Sequence, residues 1–252
     1  APRTKTISSD ERALRKRARG LDAGADALRA MNFFNLLQSL DELLYEVMSW
    51  LVFYPVTLWR TLVRPLKMMD YSDVEQGDAA DQQYTDTLSP PLFLLLSLIL
   101  VHGAEIALVG NDAVITSKVG LAAFVSNNTD LIILRIVSFS LFPVMLATRM
   151  VRAQKLQVDR DTLRGPFYSQ CYVAAVLAML LGGAVILIKL GHDWSALAGL
   201  ALTLFGLLWF GFLQTAWFNQ HLKCGRSKAF GQASRAMVES LVAVILLSSL
   251  FN

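Results

Sequence analysis

The stretch Pro90-Pro91-Leu92-Phe93-Leu94-Leu95-Leu96-Ser97-Leu98-Ile99-Leu100-Val101-His102-Gly103-Ala104-Glu105-Ile106-Ala107-Leu108-Val109 decides the fold. A helix of about 20 mainly apolar residues, rising about 1.5 Å per residue, matches the hydrocarbon thickness of a bilayer. A surface helix of a soluble protein would carry a polar stripe along one face. From Leu92 to Val101 the one polar residue is Ser97, so no such stripe exists. Pro90 and Pro91 suit the first turn, where a missing amide proton costs little. Outward from this stretch, further apolar blocks follow over 131–148, 167–188, 195–218 and 237–251. The last is short and gains length by taking in Arg235 and Ala236. Hydrophobic residues make up 54% of the chain, and their concentration in these blocks separates it from a soluble all-helical core. The pattern predicts an all-α polytopic membrane protein, with about five transmembrane helices and an N-terminal interfacial amphipathic helix pair.

Three segments are predicted. Residues 1–69 form a basic tail and the interfacial helices, 70–89 an acidic linker, and 90–252 the five-helix bundle. In the tail, Arg12, Arg15, Lys16, Arg17 and Arg19 cluster within one short run. No uninterrupted apolar stretch of the secretory type follows them. Phe33, Leu37, Leu40, Leu44, Val47 and Leu51 repeat at helical spacing, with Asn35, Gln38, Asp41 and Glu42 largely off that stripe. Pro55 is expected to end or kink this helix. A second apolar piece carries Arg60, and Pro65 stops it before Lys67. Trp50, Tyr54 and Trp59 are expected at headgroup level. The basic residues, together with Arg60, Arg64 and Lys67, are candidate contacts for anionic lipid of the cytoplasmic leaflet. The alternative for the tail is a solvated basic segment. Asp70, Asp73, Glu75, Asp78, Asp81 and Asp86 mark the linker.

Lysine and arginine set the orientation. With the N-terminus cytoplasmic, 20 of the 23 basic residues fall in 1–89, 149–166 and 219–236, and only Lys118 and Lys189 on the opposite side. Arg135 is the one left inside an apolar block. This is a strong positive-inside bias. If Val47–Val63 crossed instead, the basic cluster would lie opposite Arg60, Arg64 and Lys67, so that segment is read as interfacial or re-entrant. The expected location is an integral membrane protein of the bacterial inner membrane, with the C-terminus outside. Trp194 and Trp217 are placed at the two interfaces of the fourth span. Cys171 and Cys224 form no framework and are expected as free thiols.

Ionisable groups within the apolar blocks are the candidate site. His102 and Glu105 share a face of the first span, one turn apart. Arg135 lies in the second. Counted from each span's centre, Glu105 and Arg135 are both about five residues toward the outer side, or about 7 Å. They therefore sit at matching depth on consecutive helices and are expected to pair. Such a pair either fixes packing and register, or lines a proton or solute path with His102, or gives way to two groups snorkelling to the outer interface. Glu239 and Lys189 lie near span ends and receive no role. Pro143 is expected to kink the second span. No metal-ligand spacing, phosphate loop or nucleophile elbow is found, so neither a cofactor nor catalysis is expected. The basic tail lacks the aromatic interleaving of a nucleic-acid binder.

The stretch Tyr54-Pro55-Val56-Thr57-Leu58-Trp59-Arg60-Thr61-Leu62-Val63-Arg64-Pro65, a polar linker, and then Pro90-Pro91-Leu92-Phe93 opening the first span give a recognisable layout. In it the chain resembles the Yip-domain family of five-span membrane proteins, and bacterial uncharacterised permease-like relatives. The resemblance implies membrane organisation, trafficking or partner recruitment, and transfers no functional residue. Two function classes follow. One is a non-catalytic membrane scaffold or accessory subunit, binding anionic lipid and other membrane subunits or further copies of itself. The other is a permease with a polar path near His102, Glu105 and Arg135.

Overall fold

The computed structural model describes residues 35, 38–79, 82–110 and 128–249. They contain seven helices and no strand: α1 over 38–63, α2 (Pro65–Glu75), α3 (Pro90–Val109), α4 (Asn128–Ala153), α5 (Arg160–Lys189), α6 (Asp193–Leu222) and α7 (Arg226–Ser249). Five of these, α3 to α7, are long and apolar enough to cross a membrane. The chain is thus an all-α protein with five candidate spans. It divides into two compact units, Ala1–Val52 and Phe53–Asn252.

In the first unit, the described part of α1 exposes Leu40, Leu43, Leu44, Tyr45, Met48 and Leu51. Phe33 and the basic cluster Arg12, Arg15, Lys16, Arg17 and Arg19 lie outside the described residues, as does Lys118.

In the second unit, of the two outcomes expected at Pro55, an end to the helix does not occur; the break falls at Arg64. A proline inside a helix costs about 3 kcal/mol through its lost bond and its ring. Tertiary contacts on either side offset that cost. The Tyr54 ring lies 5.3 Å from that of Phe93, and its hydroxyl is 3.0 Å from Ser97 Oγ. Thr57 and Thr61 are fully buried, and Thr57 Oγ1 accepts from the Leu88 amide at 3.0 Å. The 53–63 half of the helix therefore lies along the first turns of α3.

The predicted linker also shrinks. Asp70, Asp73 and Glu75 belong to α2, which packs Met69 into the core and receives the Ser169 hydroxyl on both the Met69 carbonyl (3.0 Å) and Asp73 Oδ1 (2.7 Å). A run of acids signals a linker only when nothing supplies their partners; here α5 supplies Asp73, α6 supplies Asp70, and the Tyr84 amide donates to Glu75. The connections between spans are shorter than the basic segments suggested. Asp159 caps α5, accepting from the amides of Asp161 and Thr162, so Arg160 and Arg164 are helical. Lys223, Cys224 and Gly225 alone join α6 to α7. Helix α4 runs through Pro143 as one helix. Both cysteines are free thiols, with Cys171 buried.

A buried hydrophobic core gathers Met69, Met150, Phe210, Trp217, Phe218 and Ala233 at the end of the bundle that carries these short connections. Trp217 is 1% exposed and packs on Phe218 and His221, while Trp194 is 66% exposed. Spacing of two tryptophans reports depth, and says nothing of which face each one takes. Elsewhere, packing relies on small residues, since lipid gives helices no hydrophobic reason to associate. A Cβ on Gly199 would stand 2.7 Å from the Ala184 carbonyl oxygen, and one on Gly182 2.1 Å from Val101 Cγ1.

Candidate functional site

Three helices converge on one carboxylate. Glu105, on the last turns of α3, has its side chain only 4% exposed. Arg135 Nη1 of α4 lies 2.5 Å from its Oε2, and Lys189 Nζ, at the end of α5, donates to its Oε1 at 2.6 Å. Each carboxylate oxygen thus faces its own cation, in the short range of charge-assisted bonds. The matched depths of Glu105 and Arg135 do bring them together. Lys189, given no role from its position, completes the cluster. His102 is buried one turn before Glu105 on α3. A cavity of about 170 Å³ adjoins the cluster, lined by Glu105 and Arg135 with Leu98, Phe139, Leu181 and Gly182 among its apolar walls.

The cluster has the makings of a helix clamp. Lys189 is its most exposed member, with a side chain 33% exposed. The ammonium can reach the interface while the carboxylate stays buried. Nothing in this arrangement presents a nucleophile beside an oriented base. Among the described residues, no group of three or more His, Cys, Asp or Glu side chains could hold a metal ion.

A second buried polar contact joins α5 to α6. Gln170 and Gln214 are both fully buried and exchange two amide hydrogen bonds, at 2.9 and 2.6 Å. Neither residue is ionisable, so a search for charges in apolar blocks passes over them.

A third polar cluster, largely exposed, lies outside the spans. Arg60 Nη1 is 2.7 Å from Asp86 Oδ2, and the Tyr71 hydroxyl donates to Asp86 Oδ1 at 2.6 Å. Partial burial pushes the Asp86 carboxyl up, but the Tyr71 hydroxyl and the Arg60 guanidinium together outweigh it and hold the group below its usual range. Burial and the Asp86 bond push the Tyr71 phenol well up. Nearby, the Tyr172 hydroxyl donates to the Leu88 carbonyl at 2.9 Å, tying the turn before α3 to α5. On α2, Asp73 Oδ2 and Asp70 Oδ1 lie 3.4 and 3.9 Å from His221 Nε2 of α6.

Of the candidate lipid contacts, Arg60 is thus engaged with Asp86, while Arg64 and Lys67 are exposed. The others fall outside the described residues. Comparison of the chain with protein-family models, with curated proteins and with solved structures found no match in any of the three.

Proposed function

We propose that this protein is a non-catalytic scaffold or accessory subunit of a larger membrane assembly, holding other membrane subunits or further copies of itself through its bundle and anionic lipid through basic residues of segment 1–67. The observation that carries this reading is the mutual pairing within two sets of buried polar groups. Glu105 spends both oxygens on Arg135 and Lys189, and Gln170 and Gln214 spend their amides on each other. Groups paired in this way fix helix register and leave little capacity for a passing solute. The outward faces of α6 and α7 meanwhile present Leu200, Leu204, Phe212, Leu241 and Ile245, available to lipid or to a neighbouring helix.

Purification from native membranes into nanodiscs tests the reading. A second chain, or a further copy, retained at fixed stoichiometry is the expected result. A solitary chain that drives solute uptake in proteoliposomes would overturn it. One observation favours the second reading, a permease: the cavity of about 170 Å³ beside Glu105 and Arg135. Under that reading a Glu105→Gln/Arg135→Gln/Lys189→Gln variant assembles but is inactive, whereas a scaffold of the same composition keeps its partners.

A further inference from the structure

A groove of about 700 Å³ opens between α4 and α5 beside the 154–159 turn, well within the range of about 300–1,000 Å³ typical of ligand pockets. Its lining changes along its length. Arg160, Asp161 and Arg164 form the rim on the first turns of α5. Leu163 and Phe167 of α5, with Val144 and Ala147 of α4, supply the apolar floor, and Tyr168 completes the lining. From Arg160 to Phe167 the groove descends about 10 Å along the helix axis. Charge therefore gives way to hydrocarbon over the distance that separates a phospholipid headgroup from its first methylenes.

The rim has two guanidiniums against the single carboxylate of Asp161. Both arginines are exposed, and among the described residues neither takes part in a salt bridge; the Arg164 guanidinium lies 5.6 Å from the centre of the Tyr168 ring. The first amides of α5 are taken by Asp159, so recognition of an anion here rests on the side chains. A planar guanidinium fork matches two oxygens of a phosphodiester. A soluble anion would leave the apolar floor uncovered, and an uncharged lipid would leave the rim unmatched.

We infer that this groove binds one anionic phospholipid, with its phosphodiester on Arg160 and Arg164 and the start of an acyl chain against Phe167 and Val144. The inference requires that α4 and α5 span the bilayer, and is independent of the scaffold reading and of the basic N-terminal segment. Native mass spectrometry of the full chain in micelles tests it, with phosphatidylglycerol and phosphatidylcholine as probes. High ammonium acetate strips lipid held only by exposed tail charges. The wild type should retain one phosphatidylglycerol and bind phosphatidylcholine far more weakly. Arg160→Gln/Arg164→Gln should weaken phosphatidylglycerol about thirtyfold. Val144→Trp fills the apolar end with both charges intact, and should also lose the lipid; should the double variant not fold, this arm decides alone. Neutralising Arg12, Arg15, Lys16, Arg17 and Arg19 together should leave the retained lipid in place. Wild-type retention in Val144→Trp would overturn the inference, as would unchanged binding in a folded double variant. So would displacement of the lipid by inorganic phosphate or a soluble glycerophosphodiester at equal concentration, since the acyl chain would then add nothing.

Discussion

Glu105→Gln is expected to destabilise the bundle more than replacing either of its partners. In the wild type one carboxylate bridges two cations, at 2.5 and 2.6 Å. The amide keeps the size but removes the charge, so Arg135 and Lys189 both lose the carboxylate that they share. Removing one member of a buried pair costs about 3–5 kcal/mol. The lower end applies here, because the Arg135 and Lys189 side chains are 21% and 33% exposed and can turn toward water. Arg135→Gln leaves the lysine bond in place and forfeits one charged hydrogen bond, about 1.5–3 kcal/mol. Lys189→Gln should cost least, about 1 kcal/mol or less, since a partly exposed ammonium gains little net energy from its pair. In the Glu105→Gln/Arg135→Gln double variant only Lys189 loses a charged bond to Glu105, and its ammonium can turn toward water, so the double variant should be more stable than Glu105→Gln alone. Steric-trapping measurements of unfolding in bicelles give each free energy and the coupling between sites. If Glu105→Gln cost no more than Lys189→Gln, or if the double variant were additive within about 0.5 kcal/mol, the shared-carboxylate account would be refuted.

Three further outcomes are expected. Single cysteines placed at Lys118 and at Lys155 should react with an impermeant reagent from opposite sides of the membrane; labelling from one side would contradict five spans. Gly199→Ala should lower stability by about 1–3 kcal/mol, because the added Cβ meets the Ala184 carbonyl oxygen and the Ile188 amide as well as the Ile188 side chain, and the backbone cannot move aside; a thermal shift of the purified protein reads it directly. Asp86 has its carboxyl held below the usual range, so its contribution is fully present above the unfolded value and fades as pH falls through the lowered one. The loss of stability on acidification should therefore be smaller in Asp86→Asn than in the wild type, and identical pH profiles would exclude the Arg60–Asp86–Tyr71 linkage.

The five spans are legible from sequence because an apolar block of bilayer length needs no tertiary partner to be recognised. Glu105 and Arg135 are legible for a related reason: a charge in hydrocarbon demands an opposite charge at its own depth. Lys189 escapes the same counting because its backbone lies at the end of α5, and only its flexible stem carries the ammonium back to Glu105. The clue was present, since Glu105 itself lies about one turn from that end of α3. Gln170 and Gln214 escape because a neutral amide raises no alarm in an apolar block, although two of them satisfy one another well. Pro55 and the acids of α2 mislead for the opposite reason. Local rules describe an isolated segment, and contacts of Tyr54, Thr57 and Asp73 with distant helices override them.

The three-way cluster also has a timetable. Synthesis proceeds from the N-terminus, so Glu105 reaches the membrane-insertion machinery before either cation. Arg135 follows one helix later, and Lys189 only after α5, 84 residues beyond Glu105. Entering alone, α3 would carry its acid into lipid at a cost of about 2.5–3.5 kcal/mol. Entry of α3 and α4 as a coupled hairpin avoids that cost, and the arrival of Lys189 then locks the first half of the bundle to the second. The force generated on the nascent chain as α4 emerges, read with an arrest peptide, should drop when Glu105 is replaced by leucine. An unchanged force would mean that the two helices insert independently and find each other only afterwards.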